Sequence, residues 1–100
     1  MIHVEPVHLP EGTAIGVKVD LPGTRPLTIS TSKGYISAAH MDLPLLEKRH
    51  PERRIVAARV MNVREISDLL EAKVFDCTPA AAELGIAPGM TGREALSKMF

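Results

Sequence analysis

Tryptophan is absent, and only three aromatic residues occur, Tyr35, Phe75 and Phe100. The core must therefore be aliphatic, drawn from a chain that is 45% hydrophobic. There is one cysteine, Cys77, so no internal disulfide can form. That composition fits a reducing compartment, and a cytoplasmic protein is expected. No apolar run approaches the ~18 residues of a membrane span. The start, MIHVEPVHLPEG, lacks the basic residues and apolar stretch of a signal peptide. Neither sign of charge is in excess: 12 basic residues balance 12 acidic ones. This removes any general attraction to nucleic acid or to an acidic membrane surface. Internal repeats, low-complexity tracts and linkers are also missing, and 100 residues suffice for a single domain over 1–100.

What is present reads first as strands. In TAIGVKVDL, Ile15, Val17, Val19 and Leu21 alternate with polar Lys18 and Asp20. Period two with one polar side marks a half-buried strand, with the branched residues expected inward. LPGTRPL follows as a turn, where Pro22-Gly23 suits the central pair of type II. LTIST continues as a strand with Leu27 and Ile29 inward, and SKG turns the chain into YISAAH. These three strands predict an antiparallel meander. IHVEPVHL adds another strand. Its apolar phase shifts between Val4 and Val7, so Pro6 predicts a bulge or an edge position.

The second half alternates helix and strand. DLPLLEKRH reads as a short helix ended by Pro51, and RIVAARVM as a strand buried on both faces apart from Arg59. A crossover between parallel strands is expected from Tyr35 to Val60. NVREISDLLEA reads as a helix that Asn62 can cap, with Glu65 in capping-box spacing. KVFDC is a short strand. In TPAAAELG, Thr78 is the N-cap, Pro79 the first helical residue and Gly85 the stop. TGREALSKMF repeats the box with Thr91 and Glu94. The expected fold is α+β: a mixed sheet beginning as an antiparallel meander, then short helices alternating with strands and a C-terminal helical pair. Helices are expected on one face.

Chemistry-bearing motifs are sparse. Gly85, Gly89, Gly92 and Arg93 have neither the P-loop order nor the dinucleotide spacing, and a helix precedes them. Thr91 and Glu94 would occupy that helix start themselves, so the stretch reads as helix punctuation. Four histidines, His3, His8, His40 and His50, form no metal-ligand pattern with Cys77. No metal and no cofactor are expected. Asp76 beside Cys77 disfavours a thiolate. EKRHPERR is locally basic but has no interleaved aromatics, so nucleic-acid binding is not expected. Arg59 inside an apolar strand needs an acidic partner or an anion.

From Gly34 onward the sequence resembles the YunC-like family of small bacterial and archaeal proteins of unknown function. The matching residues are Gly34-Tyr35-Ile36, Asp42, Arg59, Val63-Arg64, Leu69-Leu70-x-Ala72 and Leu84-Gly85-Ile86. Gly89-Met90-Thr91-Gly92-Arg93-Glu94-Ala95-Leu96 and Met99 complete the pattern. The resemblance implies a shared fold and brings no activity, substrate or cofactor. Many relatives carry Cys-Gly where this chain has Ala38-Ala39, so thiol chemistry there cannot operate. Relatives also tend to have glycine at position 62. That leaves a left-handed turn at Asn62 as the alternative to an N-cap.

Three functional readings follow. The first is a self-associating domain, dimer or trimer, that binds a small polar or anionic ligand or a protein partner without chemistry. The second is an enzyme acting on a small anionic metabolite. The third is a purely structural assembly subunit. In a mixed sheet, ligands sit beyond the carboxyl ends of parallel strands. This points to SAAHMD and ARVMNVR, and hence to His40, Asp42, Arg59, Asn62 and Arg64 as ligand-binding residues.

Overall fold

The structure, a computed structural model, describes residues 1–23, 25–38 and 55–100. The expected helix DLPLLEKRH lies outside the described residues, as do His40, Asp42 and the basic stretch EKRHPERR. Among the described residues, six strands form one sheet: β1 (Ile2–Leu9), β2 (Gly12–Val19), β3 (Leu27–Ser30), β4 (Tyr35–Ala38), β5 (Ala57–Val60) and β6 (Val74–Cys77). Their spatial order equals their chain order. Every neighbouring pair is antiparallel except β4 and β5, which are parallel as the crossover requires. Among the described residues there are also three short helices: α1 (Ile66–Glu71), α2 (Pro79–Glu83) and α3 (Gly92–Ser97). The architecture is the expected α+β fold with a mixed sheet.

One face of the sheet makes the core. Register aligns Val7 with Ala14, Gly16 with Ile29, Ile29 with Ile36, Ile36 with Ala58, and Ala38 with Val60. The buried helix residues Ile66, Leu69, Ala81, Ala95 and Leu96 join the same apolar cluster. It contains no aromatic at its centre; Phe100 packs on its margin.

In β2 the inward phase is the reverse of the expected one. Ala14 is fully buried and Gly16 is buried, while Ile15 is 46% exposed. The cause is the close approach of α1. A Cβ on Gly16 would fall 2.7 Å from Cγ2 of Ile66. Only small residues fit beneath that helix, so the branched residues face away from it. Alternation reveals two faces but not which of them is covered.

β1 carries no bulge, and it is an edge strand. The amide of Asp20 donates to the Met1 carbonyl at 2.8 Å. Hydrogen-bonded pairs then recur at His3, Glu5, Val7 and Leu9. Pro6 falls between them, so its nitrogen faces the open edge, where no ladder bond is lost. The apolar shift along β1 is real: Val7 and Leu9 enter the core, while Ile2 and Val4 lie on the opposite face.

The caps at α2 and α3 form as expected. The Thr78 hydroxyl accepts from the Ala81 amide, and Thr91 and Glu94 make a reciprocal capping box. Helix α1 starts later than expected. Glu65 is its N-cap and Asp68 closes the box, whereas Asn62 adopts φ 63°, the left-handed alternative.

Candidate functional site

Strands β4 and β5 end at Ala38 and Val60, side by side. Because β3 is antiparallel to β4, the start of β3 and the end of β2 lie at the same end of the sheet. A cavity of about 630 Å³ opens there, lined by Asp20, Leu21, Arg25, Val63 and Arg64. The turn after β2 supplies Asp20, Leu21 and Arg25. The left-handed residue Asn62 turns the chain after β5, and Val63 and Arg64 follow it.

The charges here form a chain with one member left over. Arg25 Nε donates to Asp20 Oδ1 at 2.8 Å. Its Nη1 stands 3.9 Å from Glu65 Oε1, and Lys18 Nζ donates to Glu65 Oε2 at 3.2 Å. Asp68 accepts from the main-chain amides of Arg64 and Glu65 at 3.2 and 3.1 Å. These carboxylates are therefore engaged. The exposed Arg64 guanidinium has no hydrogen-bond or ionic partner among the described residues. The apolar Leu21, 51% exposed, and the half-buried Val63 complete the wall. An open cavity with a solvated guanidinium and two apolar residues can receive a polar group and an adjoining hydrocarbon body.

Of the sequence-derived site residues, Arg64 lines the cavity and Asn62 shapes its approach. His40 and Asp42 lie outside the described residues. Arg59 is turned elsewhere. It grips Asp76 of β6 with two hydrogen bonds, Nε to Oδ1 at 2.7 Å and Nη2 to Oδ2 at 2.5 Å. Its guanidinium carbon stands 5.2 Å from the centroid of the Phe75 ring. A register shift between Arg59 and Val60 accompanies this arrangement. The sequence reading places Asp20 on the polar side of a strand and Arg25 in the turn after it, and does not bring them together. The signal that could have revealed them is a charged pair bracketing Leu21-Pro22-Gly23-Thr24.

Cys77 is half-buried and packs against the core. Burial, then the neighbouring Asp76 carboxylate, push its thiol above the ordinary value. This disfavours a nucleophilic thiolate. Among the described residues, no three His, Cys, Asp or Glu side chains converge as metal ligands would. No described helix is long and apolar enough to cross a membrane.

The C-terminal glycine-rich motif proves to be architecture. Gly89 holds φ 99°, and a Cβ on Gly92 would collide with the Leu69 carbonyl oxygen. Thr91 and Glu94 occupy each other's amides, and Arg93 donates to Glu71 at 2.7 Å across to α1. These roles explain why glycine, a hydroxyl and an ion pair occur at that spacing.

A domain of unknown function, DUF1805, matches residues 39–99. The chain belongs to this family. It is similar to the uncharacterised protein YunC of Bacillus subtilis (strain 168), with 40% identity over 100 residues, covering 100% of this chain and 99% of that one. Its fold is similar to the crystal structure of a protein of unknown function, TA1206 from Thermoplasma acidophilum. The TM-score is 0.87 at 27% identity, covering 100% of this chain and 94% of that one. The DUF1805 match contains the α1 and α3 motifs and Arg64, while Asp20 and Arg25 precede it.

Proposed function

We propose that this DUF1805 chain is a self-associating cytosolic domain that binds a small anionic or polar ligand at the carboxyl end of the parallel pair. The observation that carries this reading is the Arg64 guanidinium at the edge of the 630 Å³ cavity, without a partner among the described residues. Asn62 sets the backbone turn that presents Arg64, and Leu21 and Val63 offer apolar contact. His40 and Asp42 are further candidates at this end from the sequence. Arg59, engaged by Asp76, supports the sheet in this reading.

Thermal-shift measurements with small carboxylates and phosphates test it, using wild type and Arg64→Ala. The expected result is a ligand that raises the melting temperature of wild type and not of the variant. If no compound distinguishes the two, the site is not there. Turnover abolished by His40→Ala or Asp42→Ala would replace binding with catalysis on an anionic metabolite. A protein that retains no ligand in native mass spectrometry yet assembles would be a structural subunit.

A further inference from the structure

We infer that the face of β1 and β2 that no described element covers is the surface through which two copies of this chain associate, sheet against sheet, about a two-fold axis. The inference rests on the self-association proposed above and identifies where it occurs. Register places Ile2 beside Val19, Val4 beside Val17, Pro6 beside Ile15, and His8 beside Thr13 on this face. Ile2 is 68% exposed, Val4 59% and Ile15 46%. Not one of the eight is an Asp, Glu, Lys or Arg, in a chain where those make up 24% of residues.

The same two strands carry His3, Glu5 and Lys18 on their other side, towards the helices. The inward side of the hairpin is thus mixed, with Val7, Leu9 and Ala14 buried beside charged neighbours, whereas the outward side carries no charge. A hairpin whose outward side carries Ile2, Val4, Ile15, Val17 and Val19, and no charged residue, has a second surface to cover. What covers it must be flat, apolar and uncharged. A second copy of this face meets all three conditions, and a two-fold axis brings no like charges together. A charged partner would find nothing to pair with.

Edge-to-edge assembly through β1 is disfavoured. Pro6 presents a nitrogen without hydrogen at the middle of the open edge of β1, so an added strand would lose a bond there. Facing sheets, about 10 Å apart, need no edge bond. At roughly 60 Å² for each of the eight side chains, the contact removes about 500 Å² per copy. Twice that is close to the ~1,000 Å² at which specific interfaces begin. The dimer is therefore expected to be reversible, and closed, because a two-fold contact uses the same face of both copies.

Sedimentation equilibrium across the micromolar range tests the surface, with wild type, Ile15→Lys, Val4→Glu and Leu84→Lys. Leu84 is exposed but lies beyond α2, away from this face. Circular dichroism confirms that each variant is folded, and the two face variants serve as alternatives should one fail. The expected result is a mass rising from 10.8 kDa to twice that value for wild type and Leu84→Lys. A folded Ile15→Lys or Val4→Glu should stay at the monomer mass. Wild type that remains monomeric overturns both self-association and this surface. Wild type that dimerises equally with and without the face substitutions overturns the surface alone. A limiting trimer mass overturns the two-fold arrangement.

Discussion

Arg59 and Asp76 lie opposite each other on β5 and β6, joined by two parallel hydrogen bonds, and their side chains are 19% and 29% exposed. A guanidinium in an apolar strand is tolerated because a carboxylate on the next strand matches its fork. Asp76→Asn should cost about 1.5–3 kcal/mol, the range for a hydrogen bond to a charged group. The pair should couple by roughly 0.5–3 kcal/mol in a double-mutant cycle with Arg59→Met. Urea denaturation of the four proteins measures it. Simple additivity would mean that the two residues do not stabilise the sheet together.

The two threonine caps differ in burial, so their removal should differ in cost. Thr91 sits at the surface, and Thr91→Ala should cost about 1 kcal/mol. Thr78 is 2% exposed, and its hydroxyl accepts from Ala81 and Ala57 and donates to the Ile55 carbonyl. Losing it strands buried main-chain groups as well as the cap, so Thr78→Ala should cost about 2–4 kcal/mol. Equal denaturation midpoints for the two variants would contradict that assignment.

Much of the fold was legible because it rests on local chemistry. Thr78-Pro79, Thr91 with Glu94, and Gly85 state their own helix boundaries, and the short turns between Leu21 and Tyr35 dictate antiparallel neighbours. The inward face of β2 was not legible. It depends on how closely Ile66 approaches Gly16, a tertiary fact without a period in the sequence. Asn62 likewise satisfies the rules for a cap and for a left-handed turn, and only the start of α1 at Ile66 decides between them. In the candidate site, Arg64 was visible as a charge after a buried strand. Arg25 was hidden because its partner Asp20 is brought to it by the turn. Arg59 showed its need for a partner, but Asp76 becomes that partner only through β5–β6 register.

Gly89 and Gly92 stand three residues apart and should respond differently to alanine. At Gly89 there is open space, and only the backbone angle of 99° resists a side chain. Gly89→Ala should cost about 1–2 kcal/mol. At Gly92 the obstruction is the Leu69 main chain, which cannot rotate aside, and its amide is bonded to the Ala72 carbonyl at 2.8 Å. Gly92→Ala must push α3 off α1, at a cost of about 3 kcal/mol or more. Calorimetry or urea unfolding should rank Gly92→Ala clearly below Gly89→Ala; the reverse order would refute the close-approach account.

Alkaline stability should depend on Cys77. Burial foremost, then Asp76, raise its thiol above 9.0, and burial raises the Tyr35 phenol above 10.0. Both groups are neutral when protonated, and the folded chain holds each proton more tightly than the unfolded chain. Well below pH 9 both states are protonated, and these groups add no pH dependence. As pH rises past the unfolded values, the unfolded chain releases its protons first and binds fewer than the folded chain. The unfolding free energy then falls with pH. The loss starts with Cys77 near 9.0, is joined by Tyr35 from 10.0, and ends once each folded-state value is passed. Cys77→Ala removes the first contribution, so its stability should decline less steeply between those two pH values than that of wild type. Denaturant midpoints measured from pH 7 to 10.5 with a reducing agent present give the two slopes. The slopes decide the matter, because the truncated side chain shifts absolute stability at every pH. Parallel curves above pH 9 would show that the thiol titrates alike in the folded and unfolded chains.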